Sequence, residues 1–312
     1  MPEYLHRPVM VAEVLAALRP ERGGRFADGT IGGGGHAAAI LAASSPNGWL
    51  YGCDRDGAAV EAAERRLADF SGRFEIRRGS FTELAEWVPA NGCDGVLLDL
   101  GVSSPQLAEA GRGFSFQQDG PLDMRMDLRQ TVTAATLVNE KTVEELANIF
   151  WELGGERNAW RFARTIAQER EHRPFKTTRQ LAELIEEVAP RCGRATHPAT
   201  RVFQAIRMAV NDEVGSLQRG LAGALRILKS GGRLAVITFH SLEDRVVKDF
   251  GRARARDYTF TGGMDVPELR EPCAPELKWV HRKAIQPREA EVASNPRSRS
   301  AQLRVMQKVR DA

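Results

Sequence analysis

Two aspartates and a glycine run carry the residues most able to do chemistry. Asp54 closes the short apolar stretch "GWLYGCD", Asp99 closes "DGVLLDLG", and the segment "FADGTIGGGGH" runs through four consecutive glycines to His36. A glycine loop that opens a helix presents unpaired N–H groups and the positive end of the helix dipole to a ligand. Without Cβ atoms the backbone can approach that ligand closely. The loop lacks the Lys-Ser/Thr of a phosphate-binding P-loop, which argues against ATP or GTP. It partly fits G-x-G-x-x-A at Gly33, Gly35 and Ala38, and Asp54 follows Gly35 by 19 residues. An acid at that place accepts hydrogen bonds from a ribose diol. These features fit an adenosine-type cofactor, either NAD or S-adenosylmethionine. Asp99 favours the second, because a pyrophosphate is repelled by another carboxylate whereas a sulfonium with an α-amino group is attracted. Phe81, in "GSF" at 79–81, is placed to pack on a purine or to serve as a core aromatic. His36 is placed to contact a ligand or to cap its helix.

The elements that must hold these residues are legible from periodicity. "VMVAEVLAAL" (9–18) predicts an amphipathic helix. Strand-like "GRFADGT", "GWLYGCD", "FEIRRG" and "DGVLLDLG" alternate with helical "HAAAILAAS", "GAAVEAAERRLADF" and "SFTELAEWV". Ser80 and Glu83 in the last have capping-box spacing. Such alternation predicts a parallel α/β sheet with its ligand edge at the strand ends. Residues 109–213 carry helical periodicity almost throughout, and the α/β pattern resumes with "LQRGLAGALRILKSGGRLAVITFHS". The expected organisation is an α/β domain in two parts, 1–108 and 214–312, with a helical insertion over 109–213. Residues 258–300 read as a long loop rich in Pro, Arg and Glu, and "AQLRVMQKV" as a final strand.

The 312 residues are 42% hydrophobic and 27% charged, an ordinary globular composition. No apolar run reaches the roughly 20 residues of a membrane span, and "MPEYLHRPVM" lacks the apolar core of a secretory signal. Cys53, Cys93, Cys192 and Cys273 form no C-x-x-C pair and predict buried free thiols in a cytoplasmic protein. No metal site is implied. Net charge is only +3, yet from Arg245 onward 15 Lys/Arg face 9 Asp/Glu. A basic terminal part is compatible with a nucleic-acid partner.

Longer blocks carry a family resemblance. "DGTIGGGGH" (28–36), "DRD" (54–56), "GSF" (79–81), "LLDLGVSSPQL" (97–107), "RGFSFQQDGPLDMRMD" (112–127), "HPATRVFQAIRMAVNDE" (197–213), "GGRLAVITFHSLEDRVVK" (231–248) and "NPRSRSAQLR" (295–304) resemble the MraW/RsmH family. Its members are S-adenosylmethionine-dependent methyltransferases of cytosine N4 in small-subunit ribosomal RNA. The resemblance implies a seven-stranded, Rossmann-like class I methyltransferase sheet with an inserted all-helical domain. It implies S-adenosyl-L-methionine contacts from Gly34, Gly35, His36, Asp54, Phe81, Asp99 and Gln106. A Ser common after the loop histidine is Ala37 here. It implies small-subunit ribosomal RNA as partner. A helical insertion shaped to meet a folded surface, with no obvious single-strand stacking platform, points to an assembled or partly assembled subunit, and the hydropathy to no membrane.

The substrate side is less explicit. Many amino-methyltransferases place a D/N/S-P-P-aromatic turn after the fourth strand, whereas this chain has "SSPQ", with one proline and no aromatic. Ser103 and Ser104 in that turn, and His240 and Ser241 after "GGRLAVITF", are candidates for holding the base. Arg157, Arg161, Arg164 and Arg170 offer a basic helical face, interleaved with Glu169 and Glu171. Competing readings are a nicotinamide oxidoreductase, disfavoured by Asp99 and the "SSP" turn, and a non-catalytic RNA-binding protein.

Overall fold

The computed structural model describes residues 8–191, 196–260 and 265–309. It divides into two compact units. One holds the residues up to Gly101 and those from Val214 on; the other is Val102–Glu213.

In the first unit, helix α1 (Val11–Leu18) precedes strand β1 (Arg25–Asp28), then α2 (Gly35–Ala43), β2 (Trp49–Asp54), α3 (Gly57–Arg66), β3 (Phe74–Arg78), α4 (Leu84–Trp87) and β4 (Cys93–Asp99). Ser80 does not close a capping box. Its hydroxyl accepts from Thr82 N, and a 3-10 turn, Phe81–Glu83, precedes α4.

The second unit is helical: α5 (Ser104–Ala108), α6 (Ala134–Glu140), α7 (Val143–Glu152), α8 (Ala159–His172), α9 (Thr178–Val188) and α10 (Ala199–Val210). Reciprocal boxes, Thr142 with Glu145 and Thr177 with Gln180, start α7 and α9 by satisfying orphan N–H groups. The amphipathic faces meet in a core around Phe150, Phe162, Leu181, Ile185, Phe203 and Ile206. Asn211 closes this unit on itself: its side chain accepts from Met126 N at 2.8 Å and donates to Met124 O at 2.8 Å.

The chain continues with α11 (Glu213–Ile227), β5 (Leu228–Thr238), α12 (Ser241–Arg254), β6 (Tyr258–Phe260), β7 (Arg270–Pro272), β8 (Leu277–Trp279), α13 (Glu289–Ser294) and β9 (Gln302–Lys308). The seven-stranded sheet has the order β3-β2-β1-β4-β5-β9-β8. Strands β1 to β5 are parallel, and β9 runs antiparallel to β5 and β8. This is the seven-stranded, mostly parallel sheet that the resemblance implied. Val96 and Leu98 enter one buried cluster and Leu97 the other, so both faces of β4 are covered. That accounts for the unbroken apolar run of its sequence.

The loop expected over 258–300 is corrected. Outside the residues left undescribed there, the segment holds the β6–β7 hairpin, the edge strand β8 and the helix α13. Cys53 and Cys93 are buried free thiols and Cys273 is half-buried; Cys192 lies outside the described residues. No helix among the described residues is long and apolar enough to cross a membrane.

Candidate cofactor site

Strand order reverses at β1, which has β2 on one side and β4 on the other. In open α/β sheets the crevice for a ligand lies at such a switch point, beyond the carboxyl ends of the strands. β1 ends there in Asp28, β2 in Asp54 and β4 in Asp99.

The loop after β1 is bent by Gly32 (φ +49°) and Gly34 (φ +77°), left-handed values that favour glycine. A Cβ on Gly34 would also stand 3.1 Å from Ala63 Cα of α3. Gly34 is the N-cap of α2, Gly35 its first residue and His36 its second. His36 therefore does not cap the helix. It is buried, and its Nε2 lies 3.5 Å from Asp99 Oδ2. Burial pushes the imidazole toward neutrality, but the Asp99 carboxylate, with Asp28 behind it, outweighs that and raises its pKa. Asp99 is held by its own backbone, whose N–H donates to Thr30 Oγ1 at 2.6 Å.

Asp54 ties the loop to β2. Its Oδ2 accepts from Gly32 N at 3.0 Å and its Oδ1 from Asp56 N at 2.9 Å. Desolvation nevertheless dominates and lifts its pKa to about 6. Phe81 packs against the core of this unit, where Gly220 of α11 makes room for its ring. The Arg55 guanidinium lies 5.8 Å from the ring centroid.

Asp28 was not singled out by the sequence reasoning. It is 1% exposed, and desolvation raises its pKa to about 6 against the pull of His36. Its Oδ1 accepts from Thr30 N at 3.1 Å. The signal was present in "ADGT", an acid at a strand end immediately before the glycine loop. Asp28 Oδ2, Asp99 Oδ1 and His36 Nδ1 are buried without a hydrogen-bond partner. Buried polar atoms left unpaired are costly. Here they converge beside a helix N-terminus and a glycine loop, the donor set suited to a cationic, amino-acid-bearing adenosine cofactor.

The structure thus brings Gly34, Gly35, His36, Asp54, Phe81 and Asp99 to one edge of the first unit. Gln106, Ser103 and Ser104 belong to the second unit. There Ser103 caps α5: its hydroxyl accepts from Gln106 N at 3.4 Å, while Gln106 Oε1 accepts from Ser103 N at 3.0 Å. Ser104 is the first residue of α5. His240, at the end of β5, has structural employment as the N-cap of α12, its Nδ1 accepting from Glu243 N at 3.4 Å. Ser241 is exposed at the start of that helix. On the basic face of α8, Arg170 donates to the carbonyls of Val138 and Lys141, while Arg164 lies over Trp160.

The model of the MraW methylase family matches residues 3–309. A curated relative from Syntrophotalea carbinolica, called Ribosomal RNA small subunit methyltransferase H, is 50% identical over 312 residues, 98% of this chain and 98% of that one. Proteins of the same name from Symbiobacterium thermophilum (50% identical; 98% of this chain, 97% of that one) and Geobacter sulfurreducens (49%; 98% and 99%) match along their length as well.

Proposed function

The chain belongs to the MraW methylase family, and we propose that it methylates the exocyclic N4 of a cytidine in small-subunit ribosomal RNA in the cytoplasm. It is an S-adenosylmethionine-dependent methyltransferase. The observation that carries the site assignment is the half-buried Asp99 carboxylate, with one oxygen beside His36 and the other, Oδ1, buried and unpaired.

When bound, the cofactor supplies an electrophilic methyl group on a good leaving group. Asp54 accepts the ribose hydroxyls, and the N–H groups at the start of α2 receive the carboxylate of the methionyl part. Asp99 faces its cationic part, and His36 holds Asp99 in place. Gln106, in the second unit, is the remaining contact residue that the family resemblance names. Ser103 and Ser104 stand as acceptors for the amino hydrogens of the base, with His240 and Ser241 as alternates. Alignment and one hydrogen-bond acceptor meet the demands of a transfer whose leaving group is already activated. As the amino nitrogen took up the methyl group that the cofactor would supply, its proton would pass to one of these acceptors. In this reading the chain is a methyltransferase domain in two parts (1–108 and 214–312), and the inserted helical domain (109–213) serves the RNA substrate.

The test uses small subunits, or RNA extracted from them, from a strain lacking this activity. They are incubated with the protein and methyl-labelled S-adenosylmethionine, then digested to nucleosides. Label in N4-methylcytidine, with more from subunits than from naked RNA, is expected. Label in C5-methylcytidine or a methyladenosine overturns the assigned reaction.

A further inference from the structure

Away from the glycine loop, the first unit carries a groove of about 500 Å³ lined by Lys248, Arg252, Trp279, Arg282, Lys283 and Arg304 among others. We propose that this groove is a docking subsite for the phosphodiester backbone of the RNA substrate, an inference that rests on the function proposed above.

Three observations carry it. The first is position. Gln302, which also lines the groove, pairs with Thr238 at the carboxyl end of β5, so the groove opens at the same sheet edge as the cofactor loops. The second is construction. Arg282 and Lys283 sit on a loop tied down at both ends, by Val280 N donating to Val305 O and by Ile285 N donating to Leu303 O. Lys248 and Arg252 are spaced i, i+4 on α12, so they share a helix face. Trp279 forms a flat wall against Gly251, where any Cβ would collide with the indole.

The third is unbalanced charge. Asp244 lies beneath the groove and pairs with Arg304 and, at 3.4 Å, with Lys248. Asp249 stands 3.9 Å from Arg252 in an exposed pair. Arg282 and Lys283 are exposed and have no acidic partner among the described residues. A rigid row of cations beside an aromatic wall fits a chain of phosphates with intervening bases, because each neutralised phosphate releases counterions and the π-face accepts a stacked base.

The experiment compares three proteins: the native chain, a variant with Arg252→Ala, Arg282→Ala and Lys283→Ala, and a control losing equal charge elsewhere through Arg22→Ala, Arg65→Ala and Arg66→Ala. Affinity for unmethylated small subunits or their RNA is measured across a salt series, with S-adenosylhomocysteine binding as the check on folding. The groove variant is expected to bind about tenfold or more weakly, with a log–log salt slope shallower by about two, the loss of about three phosphate contacts. Its S-adenosylhomocysteine affinity is expected to stay unchanged. Lys283→Glu alone, on the exposed loop, is expected to weaken RNA binding in the same direction. A groove variant indistinguishable from the control overturns the subsite while leaving the methyltransferase reading intact. Saturable inorganic phosphate binding with RNA affinity untouched by the substitutions also overturns it. If the native chain neither binds nor methylates the RNA, the functional reading itself fails.

Discussion

His36 and Asp99 meet at 3.5 Å although one stands in the first turn of α2 and the other ends β4. The contact joins the two strand–helix crossings that flank the switch point. A hydrogen bond to a charged group contributes about 1.5–3 kcal/mol. Asp99→Asn is therefore expected to weaken S-adenosylmethionine binding by about ten- to a hundredfold by calorimetry. Unchanged affinity would move Asp99 out of the site.

Asp54 holds Gly32 and Asp56 through their N–H groups, and in the function proposed above it also accepts the ribose hydroxyls. Asp54→Ala is expected to cost about 1.5–3 kcal/mol of cofactor affinity and to lower the melting temperature of the ligand-free protein. A change in melting temperature with no change in affinity would assign Asp54 to the loop alone.

The Asp28 and Asp54 carboxyls titrate at about 6, raised by desolvation from 3.8. The folded protein thus binds protons more readily than the unfolded chain across roughly pH 4–6. These two groups favour folding most below pH 4, and that contribution is lost as the pH rises through about 6. Cofactor binding has the opposite sign, because it requires the ionised carboxylates. Affinity for S-adenosylhomocysteine is expected to be level between pH 7 and 8 and to fall below about 6, by about tenfold per unit for each proton displaced. A flat profile from pH 8 to 5 would contradict the assignment, and Asp54→Asn should flatten the native profile in part.

Gly34 combines φ +77° with an approach to Ala63 so close that a methyl group would press α3 back by a few tenths of an ångström. Gly34→Ala is expected to destabilise the protein by about 1–2 kcal/mol, the cost of a left-handed non-glycine residue, and to reduce cofactor affinity by shifting the start of α2. Chemical denaturation and calorimetry read the two effects separately.

Strand β4 was legible because it is buried on both faces and its "VLL" is pure hydrocarbon, and its parallel neighbours because they alternate with helices in the sequence. The helices announce themselves through period and caps. Strand β8 does not, because three residues are too few to display alternation. Leu277–Trp279 is a strand only because β9 offers it an edge. In the site, the glycines and the terminal acids Asp54 and Asp99 stand out by type and spacing. Asp28 was overlooked because an Asp-Gly pair after a strand also reads as an ordinary turn. The spacing of Ser103 and Gln106 did not disclose that each engages the other's backbone.

β4 and β5 are neighbours in the sheet, yet the whole second unit lies between them in the chain. The pairing therefore sets an order of events in time. Closing so long a span is an entropic barrier for an extended chain, and contacts distant in sequence form slowly. The span shortens if the helices condense first, because Asn211 then ties the end of α10 back to Met124 and Met126. Asn211→Ala is accordingly expected to slow refolding in stopped-flow measurements while changing the unfolding rate little; an effect confined to unfolding would refute that order. The residue that clasps the helices would thereby act as the timekeeper of the sheet.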